Sequence, residues 1–379
     1  MTVILKILNS LPRLRKISPC SLRSLLSPPV GPQHFRQNVF HHTAPSAAVN
    51  NTSTEEKEKQ KLKIMFFGTD QFAVASLKRL FQEYKCEESG SISSLEVTCL
   101  HMKSLVPAVT KFSQEKNLNI HIWPPDLDYI SQNFDLGVVA SFGKLIPSKI
   151  IQSFPLGMIN VHGSLLPRWR GAAPVIHALK NGDTKTGITI MKVKPHKFDV
   201  GEILAKAEID LDEDICRPEL TSRLAEVGAD LLVEVIRDFT EYNQKCVKQD
   251  EADMTLAPLI DKSIADLDWT NLTNMEVFNL WRAVGDLTKL NTKYLETGFN
   301  VRIATVLHPR CLIGADLDNC ADPGTVVFIR RSKRDRYVCV KCREGWVAVS
   351  DIYYHNKKVM KPIDFYNGLL SRPGVHKFI

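Results

Sequence analysis

Leu62-Lys63-Ile64-Met65-Phe66-Phe67-Gly68-Thr69-Asp70-Gln71-Phe72-Ala73 is the stretch on which the fold turns. Ile64 to Phe67 is a short, continuously apolar run, Gly68-Thr69 is a turn, and Phe72 to Tyr84 repeats apolar residues at 74, 77, 80 and 81. Those spacings predict a strand, a turn and an amphipathic helix. Further apolar strands are predicted at Leu95–Leu100, Ile120–Ile122 and Leu136–Ala140, with a helix around Val106–Lys116. Strands that alternate with helices and stay apolar on both faces imply a sheet covered on both sides. The expected class is therefore α/β, a Rossmann-like open, mainly parallel sheet, with ligands at the carboxyl ends of its strands. A dinucleotide site would place GxGxxG at the first turn, where only Gly68 occurs, the next glycine being Gly90.

The 379 residues, 44% hydrophobic and 24% charged, are enough for two domains with full cores. Disorder throughout, a collagen-like fibre and a disulfide miniprotein are excluded. Apolar runs stay short of the roughly 18 residues that cross a bilayer, so a soluble chain with no membrane partner is expected. Nine scattered cysteines suggest reduced thiols rather than a disulfide framework. The one close pair, Cys339 and Cys342, sits in an alternating run that would aim the sulfurs at opposite faces, and no second CxxC completes a metal site.

Charge divides the chain. Residues 1–54 carry +6 with no acid before Glu55, residues 55–258 carry −4, and residues 259–379 carry +5. The first segment is Ser-rich, with spaced cations at Lys6, Arg13, Arg15, Lys16, Arg23 and Arg36. That pattern predicts a mitochondrial transit peptide and a matrix location, with a disordered basic tail as the alternative. The expected domains are a transit peptide and linker at 1–60, a catalytic domain at 61–245, a linker at 246–267 and a C-terminal domain at 268–379.

Chemistry concentrates between Ser141 and Leu204. Met158-Ile159-Asn160-Val161-His162 is a predicted strand that projects Asn160 and His162 to one face where the chain opens into a Gly-Ser turn. An amide donor and an imidazole side by side suit an oxyanion, although a single strand His is more often structural. Thr186–Val193 is another predicted strand, and it leads to Asp199-Val200-Gly201. On its own, Asp199 reads as a turn residue.

Asn160-Val161-His162-Gly163-Ser164-Leu165-Leu166-Pro167, joined to the later Asp199-Val200-Gly201, resembles the 10-formyltetrahydrofolate-dependent formyltransferase family. Leu165-Leu166-Pro167-Arg168-Trp169-Arg170-Gly171-Ala172-Ala173-Pro174 is similar to the branch of that family acting on methionyl-tRNA. The resemblance implies formyl transfer from 10-formyltetrahydrofolate to the α-amine of an initiator methionyl-tRNA, with Asn160, His162 and Asp199 catalytic and no metal. It also implies a folate pocket at Phe142, Gly143, Lys144, Leu145, Ser164, Leu165, Leu166 and Pro167, and tRNA contacts at Arg168 and Arg170. Three departures stand out: Asp70 replaces the family's Pro, Leu259 stands where the family tends to have Lys, and Leu100–Val106 lacks a long basic loop.

A helix is predicted at Pro218–Tyr242, and in the last segment another at Met275–Val284. Short strands follow at Val301–Leu307, Gly324–Ile329, Tyr337–Cys342 and Trp346–Ile352. A small Greek-key barrel is expected, OB-like and tRNA-holding by the same resemblance. Arg330, Arg331, Lys333, Arg334, Arg336 and the pair Lys357-Lys358 would face phosphates. A monomer is expected. Rival readings are another amine acceptor, a 10-formyltetrahydrofolate hydrolase, and a non-catalytic tRNA-binding protein.

Overall fold

In the computed structural model the residues described are 38–39, 61–86, 89–101, 106–332, 335–355 and 358–379. Nearly all of the expected transit segment, together with Lys333, Arg334 and Lys357, lies outside them. Two compact units are formed, Gln37–Ile264 and Ala265–Ile379.

In the first unit, β2 (Leu62–Gly68) buries every residue from Ile64 to Gly68, as a strand in the middle of a doubly covered sheet must. The other strands are β1 (Asn38–Val39), β3 (Ile92–Cys99), β4 (Ile120–Ile122), β5 (Leu136–Ala140), β6 (Met158–His162), β7 (Lys185–Lys192) and β8 (Ile203–Asp210). They lie in the order β1-β8-β7-β6-β5-β2-β3-β4. From β4 to β6 the pairing is parallel, whereas β7 runs antiparallel to β6, and β8 antiparallel to β7. The sequence did not announce β8, because Lys206 and Glu208 interrupt its apolar residues where the strand approaches the sheet's edge.

The chain leaves β2 toward β3 and β4 on one side and returns through β5 and β6 on the other. That reversal opens a crevice at the strand carboxyl ends. Thr69 Oγ1 donates to the Phe142 carbonyl at 3.0 Å there, and Ser141 Oγ donates to Asp70 Oδ2 at 2.6 Å. Asp70, the departure from the family pattern, also caps the helix Gln71–Tyr84 by accepting from the Ala73 amide at 3.2 Å. Beneath the crevice Phe67 meets Trp123, Phe142 and Phe154 edge to face.

On the other face the helix Arg217–Arg237 buries Leu220, Leu224, Leu231, Leu232 and Val235. The single helix expected to reach Tyr242 breaks at Asp238, which leaves helical backbone, and resumes at Phe239–Gln244. Just before the break Arg237 clasps Glu83 of the helix Gln71–Tyr84, with Nη2 to Oε2 at 2.7 Å. Burial raises the Glu83 carboxyl, but the bond from Arg237 and the Ser91 amide outweigh it, and the group sits below its ordinary value. A depressed carboxyl stabilises above its unfolded pKa and loses that contribution as the pH falls through the folded one. Glu83→Gln should therefore cost about 1–2 kcal/mol at pH 7. In thermal unfolding the gap to the parent should close as the pH drops below about 4.

The second unit holds two antiparallel four-stranded sheets. One is β16 (Val359–Met360), β15 (Ile352–Tyr354), β10 (Asn300–Ile303) and β9 (Leu290–Lys293); the other is β11 (Val306–Leu307), β14 (Trp346–Val349), β13 (Arg336–Lys341) and β12 (Val326–Arg330). Two predicted strands, Val301–Leu307 and Trp346–Ile352, each split and pass from one sheet to the other. The breaks coincide, stitched by Ala304 N–H to Asp351 O at 2.9 Å and Ser350 N–H to Thr305 O at 3.0 Å. Cys339 packs with Leu312, Trp346 and Ala348, and Cys342 is buried just past the end of β13; burial pushes both thiols up to about 12. A capping box at Thr273 and Glu276 starts the helix Asn274–Val284. Among the described residues no helix is long and apolar enough to cross a membrane.

Candidate active site

Strand β6 ends at His162, beside the crevice. Asn160 is half-buried and His162 only 6% exposed, two residues apart on one side of the strand. The chain then enters the loop 163–173, which is pinned from beneath by Thr189 of β7. Thr189 Oγ1 donates to the Ser164 carbonyl at 2.7 Å and accepts from the Leu166 amide at 3.0 Å. Ser164 is fully buried and donates to the Arg168 carbonyl at 2.7 Å. Leu166 is buried against Met191, Ile203 and Val247.

The loop doubles back at Trp169, which has φ +63° and whose carbonyl accepts from His162 Nε2–H at 3.0 Å. Gly171 follows with φ +129°, a conformation glycine tolerates, and a Cβ there would stand 2.5 Å from the Ala257 carbonyl oxygen. Its amide donates to Asp199 Oδ2 at 2.9 Å. The other carboxylate oxygen lies 3.6 Å from His162 Nδ1. Asp199 itself has φ +54°, so the turn reading and the site reading hold together at one residue. Both nitrogens of the imidazole thus face acceptors, a carbonyl and a carboxylate.

The remaining expected site residues divide by burial. Gly143, Lys144 and Leu145 lie open, and Phe142 turns into the core. Arg168 is held bidentate by Asp183 at 2.9 and 2.6 Å and lies 4.3 Å over the Trp169 ring. The hydrogen bonds it donates to Asp183 hold the Arg168 guanidinium above its ordinary pKa. Arg170, 6% exposed, donates both terminal nitrogens to Glu251 at 2.9 Å and Nε to Gln249 Oε1 at 2.9 Å. Arg331 donates to the carbonyls of Cys311 and Ile313, and Arg330 is exposed at the end of β12.

Sequence reasoning missed the segment that closes this loop. Residues 246–257, read as linker, lie within the first unit. Val247 pairs with Ile203, the Arg170 amide donates to the Thr255 carbonyl at 2.9 Å, and the Ala257 amide donates to the Arg170 carbonyl at 2.7 Å. Partners so far apart in the chain leave no local signal, and the segment's polar composition matches that of a solvated connector.

A buried strand-end His facing a turn carboxylate, with an amide alongside, at the carboxyl edge of a mainly parallel sheet is an arrangement suited to acyl transfer. The family described as Formyl transferase matches residues 126–236, and Formyl transferase, C-terminal domain, matches residues 259–370. A mitochondrial methionyl-tRNA formyltransferase of Rattus norvegicus is 35% identical over 84% of this chain and 81% of its own. The Homo sapiens mitochondrial form is 35% identical over 83% and 79%, and the Fusobacterium nucleatum methionyl-tRNA formyltransferase 31% over 83% and 99%. In fold the chain is similar to WlaRD, a sugar 3N-formyltransferase (TM-score 0.54, 19% identity, 79% and 99% covered), and to an N-formyltransferase of Helicobacter canadensis (0.55, 15%, 77% and 100%). The chain belongs to the methionyl-tRNA formyltransferase family. It is a formyl-transfer enzyme that formylates methionyl-tRNA, and the rival acceptors and the hydrolase are not favoured.

Proposed function

We propose that formyl transfer from 10-formyltetrahydrofolate runs on Asn160, His162 and Asp199. The single observation that carries this is the 3.6 Å approach of the Asp199 carboxylate to His162 Nδ1, with Asn160 on the same side of β6. The methionyl α-amine attacks the formyl carbon, a C–N bond forms, and the carbonyl electron pair moves onto oxygen. Asn160 and His162 stabilise that oxyanion, a contribution of about 3–4 kcal/mol per donor. In the resting arrangement His162 Nε2–H is given to the Trp169 carbonyl, so substrate oxygen must share or replace that acceptor. Collapse breaks the bond to N10 of the folate. The ammonium proton passes through water to Asp199 and from there to N10, which leaves protonated.

The folate lies along the open Gly143-Lys144-Leu145 turn and the loop from Ser164 to Pro167, with Phe142, Ser164 and Leu166 shaping the pocket from behind. Arg168 and the cations Arg330, Arg331, Lys333, Arg334 and Arg336 take the tRNA phosphates, whereas Arg170 is given to the loop. Residues 1–60 are the mitochondrial address and the matrix the destination, a reading supported by the mitochondrial relatives.

The decisive assay is formyl transfer by a chain beginning at Glu55, with 10-formyltetrahydrofolate and either methionyl-tRNA or no acceptor. Formylated methionyl-tRNA is expected; folate turnover without an acceptor would replace this reading with hydrolysis. Glutamine at 330, 331 and 336 should raise the KM for tRNA. It should also lower the slope of log KM against log salt by roughly 2–3, leaving the folate KM in place. An unchanged slope would put the phosphates elsewhere.

A further inference from the structure

The Asp199 turn is held from a distance. Gln249 Nε2 donates one proton to the Asp199 carbonyl and one to the Gly201 carbonyl, both at 2.9 Å. Its Oε1 accepts from Arg170 Nε at 2.9 Å. Arg170 precedes Gly171, the residue whose amide holds Asp199 Oδ2. One amide therefore ties together the turn that carries the carboxylate and the loop that orients it. The peptide planes that follow Asp199 and Gly201 are fixed from their carbonyl ends, although Asp199 stands at φ +54°.

We propose that Gln249 is a positioning residue for formyl transfer: it holds the Asp199 turn so that the carboxylate stands against His162. The inference rests on Asp199 and His162 being the catalytic pair. A strained turn released from its two donors moves toward commoner backbone angles, and misplacement of a reacting group by about 1 Å costs on the order of a hundredfold in rate. Gln249 touches no reacting atom, so its loss should act on kcat rather than on substrate binding.

The test is a mutant cycle read in kcat and KM. Gln249→Glu keeps the side-chain shape and the acceptor for Arg170 but removes both donors. Gln249→Met, uncharged and of similar length, guards against a folding failure of the first variant, which thermal unfolding would reveal. Each is expected to lower kcat about tenfold or more with both KM values within about twofold of the parent. In an Asp199→Asn background the same substitutions should change kcat less than about twofold, because the carboxylate they position is already gone. A folded Gln249→Met with parental kcat, beside an impaired Asp199→Asn, overturns this inference alone. Equal losses in both backgrounds would also overturn it, by showing a general structural role. A fully active Asp199→Asn would overturn the catalytic reading and this inference together.

Discussion

His162→Ala is expected to lower kcat for formyl transfer by at least about a hundredfold while the protein still folds. The ring is 6% exposed and sits at the end of β6, with Trp169 O on one nitrogen and Asp199 on the other. Its removal takes away an oxyanion donor and leaves the Asp199 carboxylate facing a void. The packing loss is modest by comparison, since β6 stays paired with β5 and β7 on both sides. Turnover and thermal unfolding measured on the same preparation separate the two effects. Near-normal turnover would remove His162 from the chemistry.

Gly201→Ala should be comparably severe for a different reason. A Cβ at that position would lie 1.7 Å from the Lys192 carbonyl oxygen, a backbone atom that no side-chain rotation can clear. The same place holds the Lys192 N–H to Glu202 O bond at 2.9 Å, which closes the chain between β7 and β8. Accommodating the methyl means opening that closure and moving Asp199 two residues away. Overpacking of this kind costs roughly 1–3 kcal/mol or more, a fall in Tm of about 5–10 °C. Loss of kcat of about tenfold or more should accompany it. A variant with parental Tm and parental kcat would show that the turn yields without disturbing the site.

The parts of this design legible in the sequence are those written locally. Ile64 to Phe67 and Leu136 to Ala140 announce strands because burial on both faces demands unbroken apolar runs. Asn160 and His162 are legible because alternation along one strand fixes their common side. Arg170 shows the limit. Beside Trp169 and Arg168 it looks like a phosphate ligand, and only the fold reveals that Glu251 and Gln249 hold it. The split of Val301–Leu307 was hidden for a related reason: the chain changes sheets through hydrogen bonds around Thr305 and Asp351. Both are partnerships between distant residues, and composition or spacing records nothing of them.

The left-handed backbone at Asp199 has an evolutionary consequence. Few residues with a side chain adopt that conformation readily; Asp, Asn and His are the enriched ones, and Glu is not among them. Among carboxylates the turn thus favours the shorter, and a lineage drifting through single substitutions meets a conformational barrier before any chemical one. Asn would keep the backbone and lose the charge, while Glu would keep the charge and strain the backbone. The geometry of one turn narrows the set of ancestors and descendants this site can have.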